Sequence, residues 1–212
     1  MCLKEQLKTI SLHLYNTHRQ HYEFRKVKET LRGTDIVLQS DFAENNAIKQ
    51  QNEIMSAHWV STSVSIFTCV IYYSSLNGSL AHLSYAVVSD DLTHDKNAVA
   101  ACTKICVDHF RAHHFQPSII HHWTDDAASH YKNTYTIGSL VHHTSDYGCP
   151  GTRSFSGTAH GKDPMDDIGA EVKRKIWLKN LRGQVIVNTA EQLYKALKIE
   201  ETSLMFLHLT SS

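Results

Sequence analysis

The segment SVSIFTCVIYYSSLNGSLAHLSYAVVS, residues 63–89, limits the fold of this chain more than any other. Its two halves are dense in β-branched and aromatic residues, which pack well on a pleated, buried surface. Between them, Asn77-Gly78 supplies the positive φ angles of a tight reversal. The preceding DIVLQSDF, residues 35–42, reads as another strand. Strands following one another in this way, two of them tightly joined, predict an antiparallel meander.

On either side the hydrophobic period changes. At the N-terminus, LKEQLKTISLHLYNTHRQHYEFRKVKETL places Leu7, Ile10, Leu14 and, more weakly, Tyr22 and Val27 among many charges, the pattern of a helix with one solvated face. Gly33 would end it as a C-cap. After the meander, Val99, Cys102, Cys106 and Phe110 recur at three and four residues, with acids before them and basic or histidine residues after, so residues 90–114 predict a helix. SIIHHW then reads as a short strand, ASHYKNTYTIGSLVHH as a helix and TRSFSGTAH as a fifth strand. In MDDIGAEVKRKIWLKNLRG a further helix sets Ile168, Val172 and Ile176 on one face. The tail VIVNTAEQLYKALKIEE predicts a short extended piece and a helix capped by Asn188 or Thr189.

The order β-β-β-α-β-α-β-α is that of the α/β ribonuclease-H-like fold, a mixed five-stranded sheet flanked by helices. The expected division is an N-terminal helical segment over 1–33, the ribonuclease-H-like domain over 34–184 and a C-terminal extension over 185–212. At 212 residues the chain is long enough for one sizeable core. Formal charge is zero with histidine neutral, so a nucleic-acid site must come from local clusters, and sixteen histidines would turn the chain positive below about pH 6.5. Five irregularly spaced cysteines without a signal segment predict a reduced, intracellular protein. Every long apolar stretch is broken by Ser, Thr, His or Asp, so no membrane partner is expected.

Fold order alone does not assign function. The acids have to do that. Asp41 stands at the expected end of the first strand and Asp125 just after the fourth, and in this fold those two strands lie side by side. A third acid would come from Asp166, Asp167 or Glu171 at the start of the helix after the fifth strand. Three carboxylates form a hard-oxygen site for Mg²⁺ or Mn²⁺, and a pair of such ions about 4 Å apart can activate a water or 3′-hydroxyl against a phosphodiester. The competing reading of each acid is a turn former or helix cap.

The motifs DFAEN, SAHW, WTDDAASHYKN and TAHGKDPMDDIGAEVKR resemble those of DDE-type transposase-like proteins, with the resemblance running from about Tyr15 to Arg174. It implies a ribonuclease-H-like catalytic domain, divalent metal, DNA cleavage and strand transfer, and hence a nuclear protein with DNA, and a second copy of the chain, as candidate partners. Asp41 would match the first catalytic and metal-binding acid, Asp125 the second and Asp166 the third. His160 and Lys162 of the same pattern would contact phosphate or leaving group, the alternative for His160 being a buried, hydrogen-bonded histidine. Asp126, Asp163 and Asp167 stand where the pattern has glycine, and Asn46 and His130 where it has an aromatic residue and Gln. Added carboxylates draw metal into other geometries and repel phosphate, which suggests a copy whose ancestry outlasts its activity.

Beyond the acids, EVKRKIWLKNLR groups Lys173, Arg174, Lys175, Lys179 and Arg182 around Trp177, a helix face suited to a phosphate backbone or simply to water. Cys102 and Cys106 lie one turn apart, a zinc spacing, but on the apolar face, where core packing is the preferred reading. His121 and His122 point to opposite faces of a strand and do not serve one ion. Two alternatives to a metal-dependent transposase remain: a binding module of the same fold without catalysis, and a zinc protein using Cys149, His160 and other ligands.

Overall fold

The computed structural model describes residues 3–47, 63–125, 138–156, 164–181, 189–198 and 203–210. A six-stranded sheet with order β5-β4-β1-β2-β3-β6 forms the framework. Its strands are β1 (Ile36–Ala47), β2 (Ser63–Ser74), β3 (Leu80–Ser89), β4 (Ile120–Asp125), β5 (Gly151–Ser156) and β6 (Leu204–Leu209). The helices are α1 (Leu3–Glu29), α2 (Lys96–His113), α3 (His143–Tyr147), α4 (Pro164–Leu181) and α5 (Ala190–Lys198). The β2–β3 reversal is made at Gly78, φ 78°, with Asn77 Oδ1 accepting the Ser79 N–H at 3.0 Å. β4 pairs parallel with β5, and β3 parallel with β6. A meander whose first strand neighbours the fourth, with the fifth outside it, is the strand order of the ribonuclease-H-like fold.

The chain divides into two units, residues 1–39, 71–82 and 116–161 in one and 40–70, 83–115 and 162–212 in the other. In the first, α1 sets Phe24 against Tyr72 and Trp123, with ring centroids 6.0 and 4.8 Å away, and Lys28 reaches over Phe24 and Tyr72. In the second, Val64 to Val70 of β2 are buried without a break, as in a strand covered on both faces. α2 buries Val99, Cys102, Cys106, Val107 and Phe110, its periodic face. It begins where Asp95 accepts the N–H groups of Asn97 and Ala98, both at 2.9 Å. α5 begins at Thr189, whose Oγ1 accepts the Gln192 N–H at 3.2 Å.

The expected helix over 128–143 lies largely outside the described residues, and the described helix in that region is the short α3. Two differences from the sequence reading stand out. β1 continues to Ala47, so Asp41 sits inside the strand and not at its end; AENN has little strand propensity, and its place beside β2 carries it on. The sheet has a sixth strand from residues expected to form an extension: LMFLHL pairs with β3 from Ser84↔Leu204 to Ser89↔Leu209 and buries Leu204, Phe206 and Leu207. Among the described residues no helix is long and apolar enough to cross a membrane.

Candidate functional site

Side chains alternate across β1, so Asp41 and Ala43 face one way and Phe42 the other. Phe42 packs on Phe67 and His94, with ring centroids 5.0 and 4.1 Å away. Its N–H donates to Asp41 Oδ1 at 2.8 Å, and Thr68 Oγ1 donates to the Asp41 carbonyl at 3.1 Å, so both the carboxylate and the backbone of Asp41 are held. On the Asp41 face lies α4, which buries Met165, Ile168, Val172 and Ile176. Gly169 brings it close: a Cβ there would stand 3.2 Å from Ala43 Cβ, tighter than ordinary contact. The close crossing leaves a cavity of about 330 Å³ lined by Asp41, Thr68, Asp166, Gly169, Ala170 and Lys173, among others. Asp166 and Asp167 occupy the first turn of α4, where the helix dipole favours negative charge.

Asp41, Asp166 and Lys173 therefore share one cavity. Asp167 is exposed and does not line it, and Glu171 is engaged by Lys175 at 3.5 Å. Asp125 is the last residue of β4, opposite Ser156 of β5, on the strand next to β1. Asp126, His130, His160, Lys162 and Asp163 lie outside the described residues. Of the basic residues, Lys173 lines the cavity, Arg174 is exposed, and Lys175 is largely covered. Among the described residues no group of three or more His, Cys, Asp or Glu side chains is placed to hold a metal ion.

Two buried histidines, His122 of β4 and His143 of α3, meet ring to ring. His143 Nδ1 donates to the Cys149 carbonyl at 2.6 Å, which leaves its Nε2 to accept from His122 Nε2 at 2.8 Å. Burial first, then the charges of Arg153, His143 and His121, hold the His122 pKa well below the usual imidazole range, so His122 is neutral. His121, on the other face of β4, bonds Thr152 Oγ1 at 2.8 Å. Cys102 and Cys106 lie in the core, and burial pushes the Cys102 thiol up to about 12 and the Cys106 thiol well above its ordinary value. Neither thiol has the lowered pKa of a metal-binding or nucleophilic cysteine.

Thr68 and Gly169 are site residues that sequence reasoning missed. A threonine in a strand and a glycine in a helix carry no chemical signal; the glycine inside a helical period hints only at close packing.

Over residues 20–212 the chain matches the family described as a domain of unknown function, DUF8701. The chain belongs to this family. No curated protein matches it. Among solved structures, the domain is similar to the crystal structure of LC9-RNase H1, a type 1 RNase H with the type 2 active-site motif, at 10% identity and a TM-score of 0.31. That similarity covers 85% of this chain and 65% of that one, so the DUF8701 chain spans less than two thirds of that structure's length.

Proposed function

We propose that this domain is a transposase-derived, ribonuclease-H-like module acting on DNA in the nucleus. In this reading the cavity of Asp41 and Asp166 is the centre of divalent-metal-dependent phosphodiester cleavage and strand transfer. One observation supports it above the rest: two acids far apart in sequence, one from β1 and one from α4, line the same cavity. The donor set fits Mg²⁺ or Mn²⁺, hard ions that keep several waters and need only one or two protein carboxylates. Asp41 and Asp166 would hold the ion, with Asp125 as the third acid implied by the resemblance. When bound, it would polarise a phosphoryl oxygen and lower the pKa of a nucleophilic water or 3′-hydroxyl. The chain's own part is to fix Asp41 through Phe42 N–H and Thr68, and to offer Lys173 to a phosphate oxygen.

A second reading, a DNA- or protein-binding module without catalysis, is favoured by Lys173 itself. An ammonium beside two carboxylates already balances part of their charge and repels a divalent cation. Calorimetric titration of Mn²⁺ into the chain and its Asp41→Asn, Asp166→Asn and Lys173→Ala variants separates the two. Binding lost in both Asn variants, together with Mn²⁺-dependent nicking of DNA, supports the cleavage reading. Binding that arises only in Lys173→Ala supports the second, and no binding in any variant overturns the metal centre.

A further inference from the structure

The wall of the cavity continues along α4. Positions 166, 170, 173 and 177 are spaced four, three and four apart, and at 3.6 residues per turn they fall on one line. Asp166, Ala170 and Lys173 line the cavity, and Trp177 is the next step, about 6 Å further along the axis. Trp177 is 59% exposed, although covering an indole is among the larger gains a surface residue offers. Lys173 and Arg174 lie on its side of α4, and no acid follows Glu171 on this helix, whereas Lys175, paired with Glu171, and Lys179 fall on the opposite side. The last turns of α4 thus present a flat apolar surface beside the positive charge of Lys173 and Arg174, in line with a carboxylate cavity.

A partner for this surface must bring a flat apolar face and negative charge at short, regular spacing. A nucleotide strand does both, and the 6 Å step is within the reach of one or two nucleotides. A duplex supplies the charge but keeps its base faces inside the stack. We propose that Trp177 stacks on an unpaired base of a DNA strand whose phosphates lie along Lys173 and Arg174, so that the substrate is a single strand or frayed end and not an intact duplex. The path of that strand to Asp41 and Asp166 rests on the function proposed above; the stacking contact needs no metal.

The test is a titration of the whole chain with dT20 and with a 20-base-pair duplex, without divalent metal, following indole fluorescence and anisotropy of labelled DNA. The expected results are quenching by dT20 that Trp177→Leu abolishes, an affinity for dT20 about 10-fold weaker in Trp177→Ala, and near-complete recovery in Trp177→Phe. The duplex should bind more weakly than dT20. Equal affinity of the wild type and Trp177→Ala for dT20, or tighter binding of the duplex, overturns the proposal. Thermal melts of each variant verify that the exposed substitution leaves the fold intact. Mn²⁺-dependent nicking, read separately on the same DNA, keeps the two readings apart: its absence with Trp177-dependent binding intact overturns cleavage alone, and the reverse result overturns this proposal alone.

Discussion

Replacing Gly151 by Ala tests the buried histidine pair directly. Gly151 opens β5, and a Cβ built on it would come within 2.7 Å of His143 Cε1 and closer still to Nε2. The ring cannot simply swing away, because Nδ1 is bonded to the Cys149 carbonyl at 2.6 Å and Nε2 to His122 at 2.8 Å, all in buried surroundings. Seating the methyl therefore displaces His143 and leaves His122 and the carbonyl without their partner. Each orphaned buried polar group costs about 1–3 kcal/mol, and the lower chain entropy of Ala returns about 0.4–1 kcal/mol, so the net loss is about 3 kcal/mol. Gly151 is not among the positive-φ glycines, so its backbone accepts Ala without strain. Urea unfolding of Gly151→Ala, His143→Ala and the double variant reads the effect as a cycle. With the ring removed, the Gly151→Ala cost should fall to near zero or change sign. A Gly151→Ala variant as stable as wild type, or one that costs the same in the His143→Ala background, would refute the reasoning.

Three further outcomes are expected. His122 is held neutral by burial in the fold, while in the unfolded chain it takes a proton below about pH 6.5; its contribution is complete above that pH and is lost as pH falls, by at most about 1.4 kcal/mol per pH unit. Urea midpoints between pH 8 and 5 should show this slope, flatter in His122→Gln. Asp95→Ala removes the acceptor of two α2 N–H groups and should cost about 1 kcal/mol in the same assay, with no cost signalling that water replaces the cap. Gly169→Val presses α4 away from Ala43 and should cost about 1–3 kcal/mol and weaken any Mn²⁺ binding; unchanged stability would show that the crossing is looser than the 3.2 Å contact implies.

How far the sequence could be read depended on how local each feature is. The Asn77-Gly78 turn, the α2 face and the α5 start are set by residues a few positions apart, whereas α2 begins at Lys96, six residues after the expected start. β6 was not readable in this way: LMFLHL is short and apolar, and nothing within it states that β3 has an edge free to receive a parallel partner. The far end of β1 was likewise carried into the sheet by its neighbours and not by AENN itself. At the site, Asp41 and Asp166 drew attention by chemistry and by resemblance, whereas Thr68 and Gly169 contribute a bond to a carbonyl and a missing Cβ, and neither leaves a mark in the residue pattern.

By itself the sequence determined the meander, the principal helices and the set of acids worth considering, because turn chemistry and hydrophobic period act over a few residues. Only the tertiary structure decided that β1 and α4 approach closely enough for Asp41, Asp166 and Lys173 to share a cavity, that Asp167 stays outside it, and that the His122 and His143 rings meet. Each of those outcomes depends on distances between elements remote in the chain, which are fixed by packing of the whole and not by any local preference.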